Sequence, residues 1–177
     1  MARRSDHSRE EIREMALAAA ERIVAEHGHS GLSARKVASA IGYTVGTLYL
    51  VFDNLDDLVL QVNARTLDRL YTQMVKDQAQ CRDARERLLQ LGHTYIRFAD
   101  EDPHCWEMIF ESRFPQGQGM PEWFREKVVR MFWLVEVGLE PFARHQSPQA
   151  IAQAARALWS GVHGICILAI TNKLDVA

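Results

Sequence analysis

Cysteine is scarce in this chain. Cys81, Cys105 and Cys166 are spread over 177 residues. An odd, widely spaced set argues against a disulfide framework and fits a reducing cytoplasm. Proline is equally sparse. Pro103, Pro115, Pro121, Pro141 and Pro148 all lie beyond residue 100, so the N-terminal half lacks the residue that most disrupts helices. Long apolar runs are missing too. The longest, Ile165–Ile170, falls far short of the roughly 20 residues that span a bilayer, and no membrane partner is expected. The charged start, Arg3-Arg4-Ser5-Asp6, has no apolar centre, so no secretory signal is expected. Net charge is only −2, so any surface for nucleic acid must be local.

Signatures of chemistry are also lacking. The chain has no Cys-x-x-Cys, no His-x-x-x-His, no Gly-x-Gly-x-x-Gly, no phosphate loop and no Gly-x-Ser-x-Gly. His104 and Cys105 are adjacent and would diverge on a helix. His27 and His29 flank Gly28 with no further ligand beside them. The carboxylate pairs Glu10-Glu11, Asp56-Asp57 and Asp100-Glu101 fall at helix ends or in solvated segments. No catalytic residue, metal or cofactor is therefore assigned. The remaining composition, 47% hydrophobic and 25% charged, suits one globular domain, alone or with a small module attached.

Apolar residues recur at helical spacing almost throughout, with no sustained period-two strand, so the chain is expected to be all-α. Ser8, with Glu11 three positions on, predicts a capped first helix carrying Ile12, Ala16, Ala19 and Ile23 and stopping at Gly28. A second helix follows Ser33 and stops at Gly42. A very short third follows Thr44. A fourth follows Asn54, with Asp56 and Asp57 in its first turn, and runs to about Gln80. The fifth carries Leu88, Leu91, Tyr95 and Phe98 and ends before Asp102-Pro103. The sixth is predicted from Trp106 to about Arg113. Phe114 to Gly119 reads as a loop. A seventh helix after Pro121 carries Phe124, Val128, Met131, Val135, Leu139 and Phe142, with Pro141 kinking or ending it. Ser147-Pro148 opens an eighth, whose stripe is Ile151, Ala155, Leu158, Val162, Ile165 and Ala169.

The most informative stretch is Ser33 to Phe52. Two short capped helices flank a turn holding Gly42. Val37, Ala38 and Ile41 face inward from the first, Leu48 and Phe52 from the second. This is the helix-turn-helix layout, whose second helix enters the major groove of DNA. Between His27 and Phe52 there is no Asp or Glu, while Arg35 and Lys36 are present; a phosphate backbone repels carboxylates. Thr44, Thr47 and Tyr49 supply hydroxyls, and the amides opening the third helix can bond phosphate. Gly46 removes a side chain where DNA backbone would approach.

On these residues the first third of the chain resembles the TetR family of bacterial regulators. The resemblance covers residues 8 to 68 and rests on Gly28, Gly31-Leu32-Ser33, Val37-Ala38, Ile41-Gly42, Gly46-Thr47-Leu48-Tyr49, Phe52 and Leu58. Leu158-Trp159-Ser160-Gly161-Val162-His163-Gly164 further resembles a subgroup with a Trp-His-Gly signature in its eighth helix. The resemblance implies an N-terminal three-helix DNA-binding domain, residues 1–53 with its motif at 33–52. It implies an antiparallel helical ligand-binding and dimerisation domain over 54–177. It also implies a homodimer on a palindromic double-stranded operator, released by a small-molecule effector and most often acting as a repressor.

Carried over by position, Ser33 and Thr44 match caps that touch phosphate. Val45, Gly46 and Thr47 match the part that meets base edges, and Tyr49 matches a phosphate-contacting tyrosine. Arg35, Tyr43 and Leu50 complete the expected DNA-binding set. The chain departs from the family where Lys is common at Val45 and Leu55, and where polar residues or His are common at Leu50 and Val51. Val45 is then a candidate for contact with a thymine methyl. Arg3, Arg4 and Arg9 in the N-terminal tail are expected to restore charge. The family often has a ninth helix, and seven residues, Thr171–Ala177, follow the eighth. Either the chain is truncated there or dimerisation relies mainly on the eighth helix.

The C-terminal half is rich in aromatics. Singly, each is best read as core. As a set inside such a domain, Tyr95, Phe98, Trp106, Phe110, Met131, Phe132, Trp159 and His163 are expected to line a pocket for an apolar or aromatic effector. His163 either bonds two helices together or donates to the ligand. His93 and His104 are expected to be exposed. Ala157, Gly161 and Gly164 make a narrow side of the eighth helix suited to a dimer seam. The competing reading is a helical carrier or enzyme retaining a non-functional DNA-binding domain; apolar Val45, Leu50, Val51 and Leu55 are its support.

Overall fold

The computed structural model describes residues 7–112, 114 and 119–174. Arg3 and Arg4 of the expected tail, Arg113, and residues 115–118 of the expected loop lie outside the described residues. Among those described the chain forms helices α1 (Arg9–His27), α2 (Ala34–Ala40), α3 (Val45–Leu48), α4 (Leu55–Gln78), α5 (Ala84–Glu101), α6 (Pro103–Glu111), α7 (Glu122–Leu139) and α8 (Pro148–Ile170), and no strand. Short 3₁₀ turns span His29–Gly31 and Glu140–Phe142.

Local chemistry sets most boundaries. The Ser8 hydroxyl accepts from the Glu11 amide at 3.2 Å and the Glu11 carboxylate accepts from the Ser8 amide at 2.6 Å, closing a capping box. Those hydrogen bonds hold the Glu11 carboxyl below its ordinary pKa. α1 stops at Gly28, whose φ of +69° is open only to glycine at modest cost. Asn54 accepts from the Asp57 amide at 2.9 Å and Asp57 accepts from the Asp53 amide at 3.0 Å, opening α4. α6 begins three residues earlier than the aromatic pattern predicts. Pro103 sits at its first position, where a missing N–H costs nothing. Pro141 falls in the 3₁₀ turn that ends α7.

The chain divides into two compact units, and the division falls inside α4 between Thr66 and Leu67. The first unit holds the described residues to Thr66 and those of His104–Gly119. Its core joins Ile12, Ala16, Leu17 and Val24 of α1 with Val37, Leu48, Phe52, Leu58 and Val62. Each large aliphatic side chain buried this way contributes about 1.5–3 kcal/mol. α6 enters the same core through Cys105 and Met108. Three hydrogen bonds from two side chains fix it there. The His104 Nδ1–H donates to the Ala25 carbonyl at 2.9 Å, so this histidine is half-buried rather than exposed. Asn63, fully buried, donates through Nδ2 to the Ser112 hydroxyl at 2.7 Å and to the Met108 carbonyl at 3.3 Å.

The second unit holds Leu67–Pro103 and the described residues from 120 on. α5, α7 and α8 pack on one another, with Leu67, Leu70 and Met74 of α4 buried as well. α5 and α7 approach closely at Gly138, where an added Cβ would come within 3.2 Å of Leu88 Cδ1. Asp68 of α4 binds Lys127 at 2.7 Å and also Arg130, both on α7. No described helix is long and apolar enough to cross a membrane.

Candidate functional site

α2 and α3 are held by their caps and by the turn between them. Ser33 accepts from the Lys36 amide at 3.3 Å and Thr44 from the Thr47 amide at 3.2 Å. Gly42 carries the turn at φ +75°, and the Tyr43 amide closes it on the Ala38 carbonyl at 2.9 Å. Leu48, Val51 and Phe52 anchor the far side in the core. Val51 is thus a core residue, with no surface for a base or phosphate. The outward face carries Thr44, Gly46, Tyr49 and Leu50, all exposed, with Val45 and Thr47 half-buried beside them. Arg35 and Lys36 are exposed on α2, and the Lys36 ammonium donates to the Gly31 carbonyl at 2.7 Å. Tyr43 is half-buried and its hydroxyl meets His7 Nδ1 at 2.8 Å. The pattern of the sequence gives no signal for that His7 contact.

In the second unit four of the expected effector residues come together. The Tyr95 hydroxyl of α5 lies 2.9 Å from His163 Nδ1 of α8. The His163 ring stacks on Trp159 with centroids 4.9 Å apart, and Trp159 meets Phe132 edge to face at 5.5 Å. Burial lowers the His163 pKa, so the ring is neutral at pH 7. Beside this cluster lies an apolar cleft of about 50 Å³, lined by Met74, Leu91, Gly92, Tyr95, Trp159 and Val162 among others. No Asp, Glu, Lys, Arg or His is among the described residues that line it.

Two family models match the chain. Residues 16–62 match the family model described as bacterial regulatory proteins, tetR family. Residues 88–177, half the chain, match the tetracyclin repressor-like C-terminal domain. The chain belongs to the TetR family. It is therefore a helix-turn-helix transcriptional regulator. No curated protein matches it. Among solved structures, a Rhodococcus sp. RHA1 protein of unknown function superposes with a TM-score of 0.79 at 21% identity, covering 100% of this chain and 90% of that one. A TetR family transcription regulator from Marinobacter aquaeolei VT8 gives 0.64 at 20% identity, covering 95% and 88%. FadR from Bacillus subtilis, solved with stearoyl-CoA, gives 0.65 at 16% identity, covering 92% and 89%.

Within this TetR regulator the structure also places the other expected effector residues. Trp106 and Phe110, with ring centroids 5.1 Å apart, belong to the first unit, and Trp106 is fully buried there. Helical periodicity assigns them to an apolar face without saying which unit that face joins. Phe98 sits under the Arg69 guanidinium at 5.6 Å and borders an open polar groove of about 730 Å³ with Asp68, Arg69, Asp77, Arg97 and Glu101. The charges there are largely paired, Arg69 with Asp102 and Arg97 with Asp77. Met131 is half-buried on α7, outside both linings. Met74 and Gly92 carry no signal in the sequence for this cleft, and Val162 carries only its place on the predicted stripe of α8.

α8 divides its apolar residues between two faces. Ala155 and Cys166 are buried, and Trp159 and Val162 half-buried. Leu158, Ile165 and Leu168 are exposed, and a Cβ added at Gly161 or Gly164 would meet nothing within 4 Å. α7 likewise exposes Val129, Trp133 and Val137 at intervals of one turn.

Proposed function

We propose that this TetR regulator is a cytoplasmic repressor that binds a palindromic operator as a homodimer and leaves it when a small apolar or aromatic effector enters the second unit. The acid-free recognition surface carries the DNA half of this reading: Ser33, Arg35, Tyr43, Thr44, Val45, Gly46, Thr47, Tyr49 and Leu50 form or flank one outward face with no carboxylate among them. Gly46 supports it independently. An added Cβ there would meet only Thr44 Oγ1 at 3.7 Å, an ordinary contact, so the fold itself does not require glycine. The missing side chain suits a closely approaching duplex.

Tyr95, Phe132, Trp159 and His163 are proposed as the effector site, and Trp159, His163 and Gly164 favour the Trp-His-Gly subgroup. The stearoyl-CoA bound by FadR is a poor guide to the effector here. The cleft of about 50 Å³ lies well below the roughly 300–1,000 Å³ of drug-sized ligand sites. The effector is compact, or it selects a state in which the cleft is wider. To release DNA it must prefer that state, since equal affinity for both shifts nothing. The exposed row Leu158, Gly161, Ile165 and Leu168 has coiled-coil spacing and supports α8 as the dimer seam.

Enrichment of duplexes from a randomised pool tests this reading. A palindrome bound with an affinity that falls steeply with salt is the expected result, with the two recognition helices about 34–36 Å apart in the complex. Weak, salt-insensitive, sequence-indifferent binding would instead favour a helical carrier or enzyme with an inert N-terminal unit.

A further inference from the structure

We propose that this regulator reads its operator chiefly through thymine methyl groups, contacted in the major groove by Val45, Thr47 and Leu50. The inference rests on the DNA-binding reading above and adds the chemistry of recognition. The base-specific pairings of the major groove are Arg or Lys to guanine, Asn or Gln to adenine, and Asp or Glu to cytosine, with Ser and Thr hydroxyls able to bond more than one base. Residues 42–52 are Gly, Tyr, Thr, Val, Gly, Thr, Leu, Tyr, Leu, Val and Phe, and contain none of the six charged and amide types.

The hydroxyls that remain are mostly engaged. Thr44 Oγ1 accepts from the Thr47 amide at 3.2 Å, and the two threonine hydroxyls lie 3.0 Å apart. The Tyr43 hydroxyl meets His7. With its hydroxyl turned to Thr44, Thr47 has a methyl to offer. Leu50 is 62% exposed, the most exposed large hydrophobic side chain described, and Val45 is half-buried next to the side-chain-free Gly46. An apolar tip on a surface otherwise suited to phosphate needs an apolar target. In the major groove of unmodified duplex DNA the thymine C5 methyl is that target, and it distinguishes T·A from A·T and from both G·C orientations.

The test starts from the tightest duplex enriched from the randomised pool. Each thymine is replaced by deoxyuridine, which removes one methyl and keeps every hydrogen-bonding group. Binding should weaken about three- to fivefold at each contacted position, the value of one buried methyl, and replacement outside the footprint should change nothing. Leu50→Ala and Val45→Ala should bind the thymine duplex more weakly and become indifferent to deoxyuridine at the position each contacts. Circular dichroism establishes that both variants fold. Equal affinity for the thymine duplex and the fully deoxyuridine-substituted duplex would overturn the proposal while leaving the regulator reading intact. So would both variants keeping the full wild-type penalty at every position. A pool from which no duplex is enriched would remove both.

Discussion

The Tyr95 hydroxyl and Nδ1 of His163 lie 2.9 Å apart and tie α5 to α8 across 68 positions of chain. Tyr95 is 5% exposed and the His163 ring is held neutral by burial, so the bond forms between two uncharged groups. Tyr95→Phe keeps the ring and removes the bond. It is expected to lower stability by about 0.5–1.5 kcal/mol, the net worth of one such hydrogen bond, measured by urea unfolding. No loss at all would mean that solvent already satisfies both groups.

Gly46 is where stability and DNA affinity should part. Alanine has the better helix propensity, by up to about 1 kcal/mol, and the Cβ has room within the protein. Gly46→Ala should therefore unfold at the same or higher denaturant concentration, yet bind the operator about tenfold or more weakly. Undiminished binding would show that the duplex does not approach the backbone there.

Gly42 makes the opposite case. Its φ of +75° is strained for any residue with a Cβ, although space around it is open. Gly42→Ala should cost about 1–2 kcal/mol from backbone strain alone. Circular dichroism during denaturant unfolding measures it.

Asp77 gives a pH signature. Burial raises its pKa, but hydrogen bonds from Thr94 at 2.7 Å, from Arg97 and from Gln73 at 2.8 Å outweigh that and leave the carboxyl below its ordinary value. A depressed carboxylate pKa stabilises the fold above the unfolded-state pKa, and the contribution is lost as pH falls through the folded-state value. Thr94→Val should thus destabilise the protein at neutral pH and progressively less in acid. A stability difference that stays constant between neutral pH and strongly acidic solution would exclude the Thr94–Asp77 bond as its cause.

On α8, Ile165→Glu places a carboxylate in the proposed seam once per protomer. Two like charges brought together out of water should raise the dimer dissociation constant about 100-fold or more. Sedimentation equilibrium reads the change, and an unaltered dimer would move the interface off this face.

Sequence alone determined most of the elements and their caps. Ser8 with Glu11, Ser33, Thr44 and Ser147 mark helix starts because a side-chain oxygen satisfies an amide that no helical carbonyl can reach, and that chemistry is local. Gly28 and Gly42 mark turns for an equally local steric reason. The helix-turn-helix and its acid-free face were legible because they occupy a contiguous stretch. Tertiary structure decided which partners the apolar stripes meet. Trp106 and Phe110 read like Tyr95 and Trp159 in periodicity, yet they join the N-terminal unit, and the row on α8 splits into an inward and an outward face. Periodicity reports that a face is buried. Only packing, through side chains far apart in the chain, determines against what.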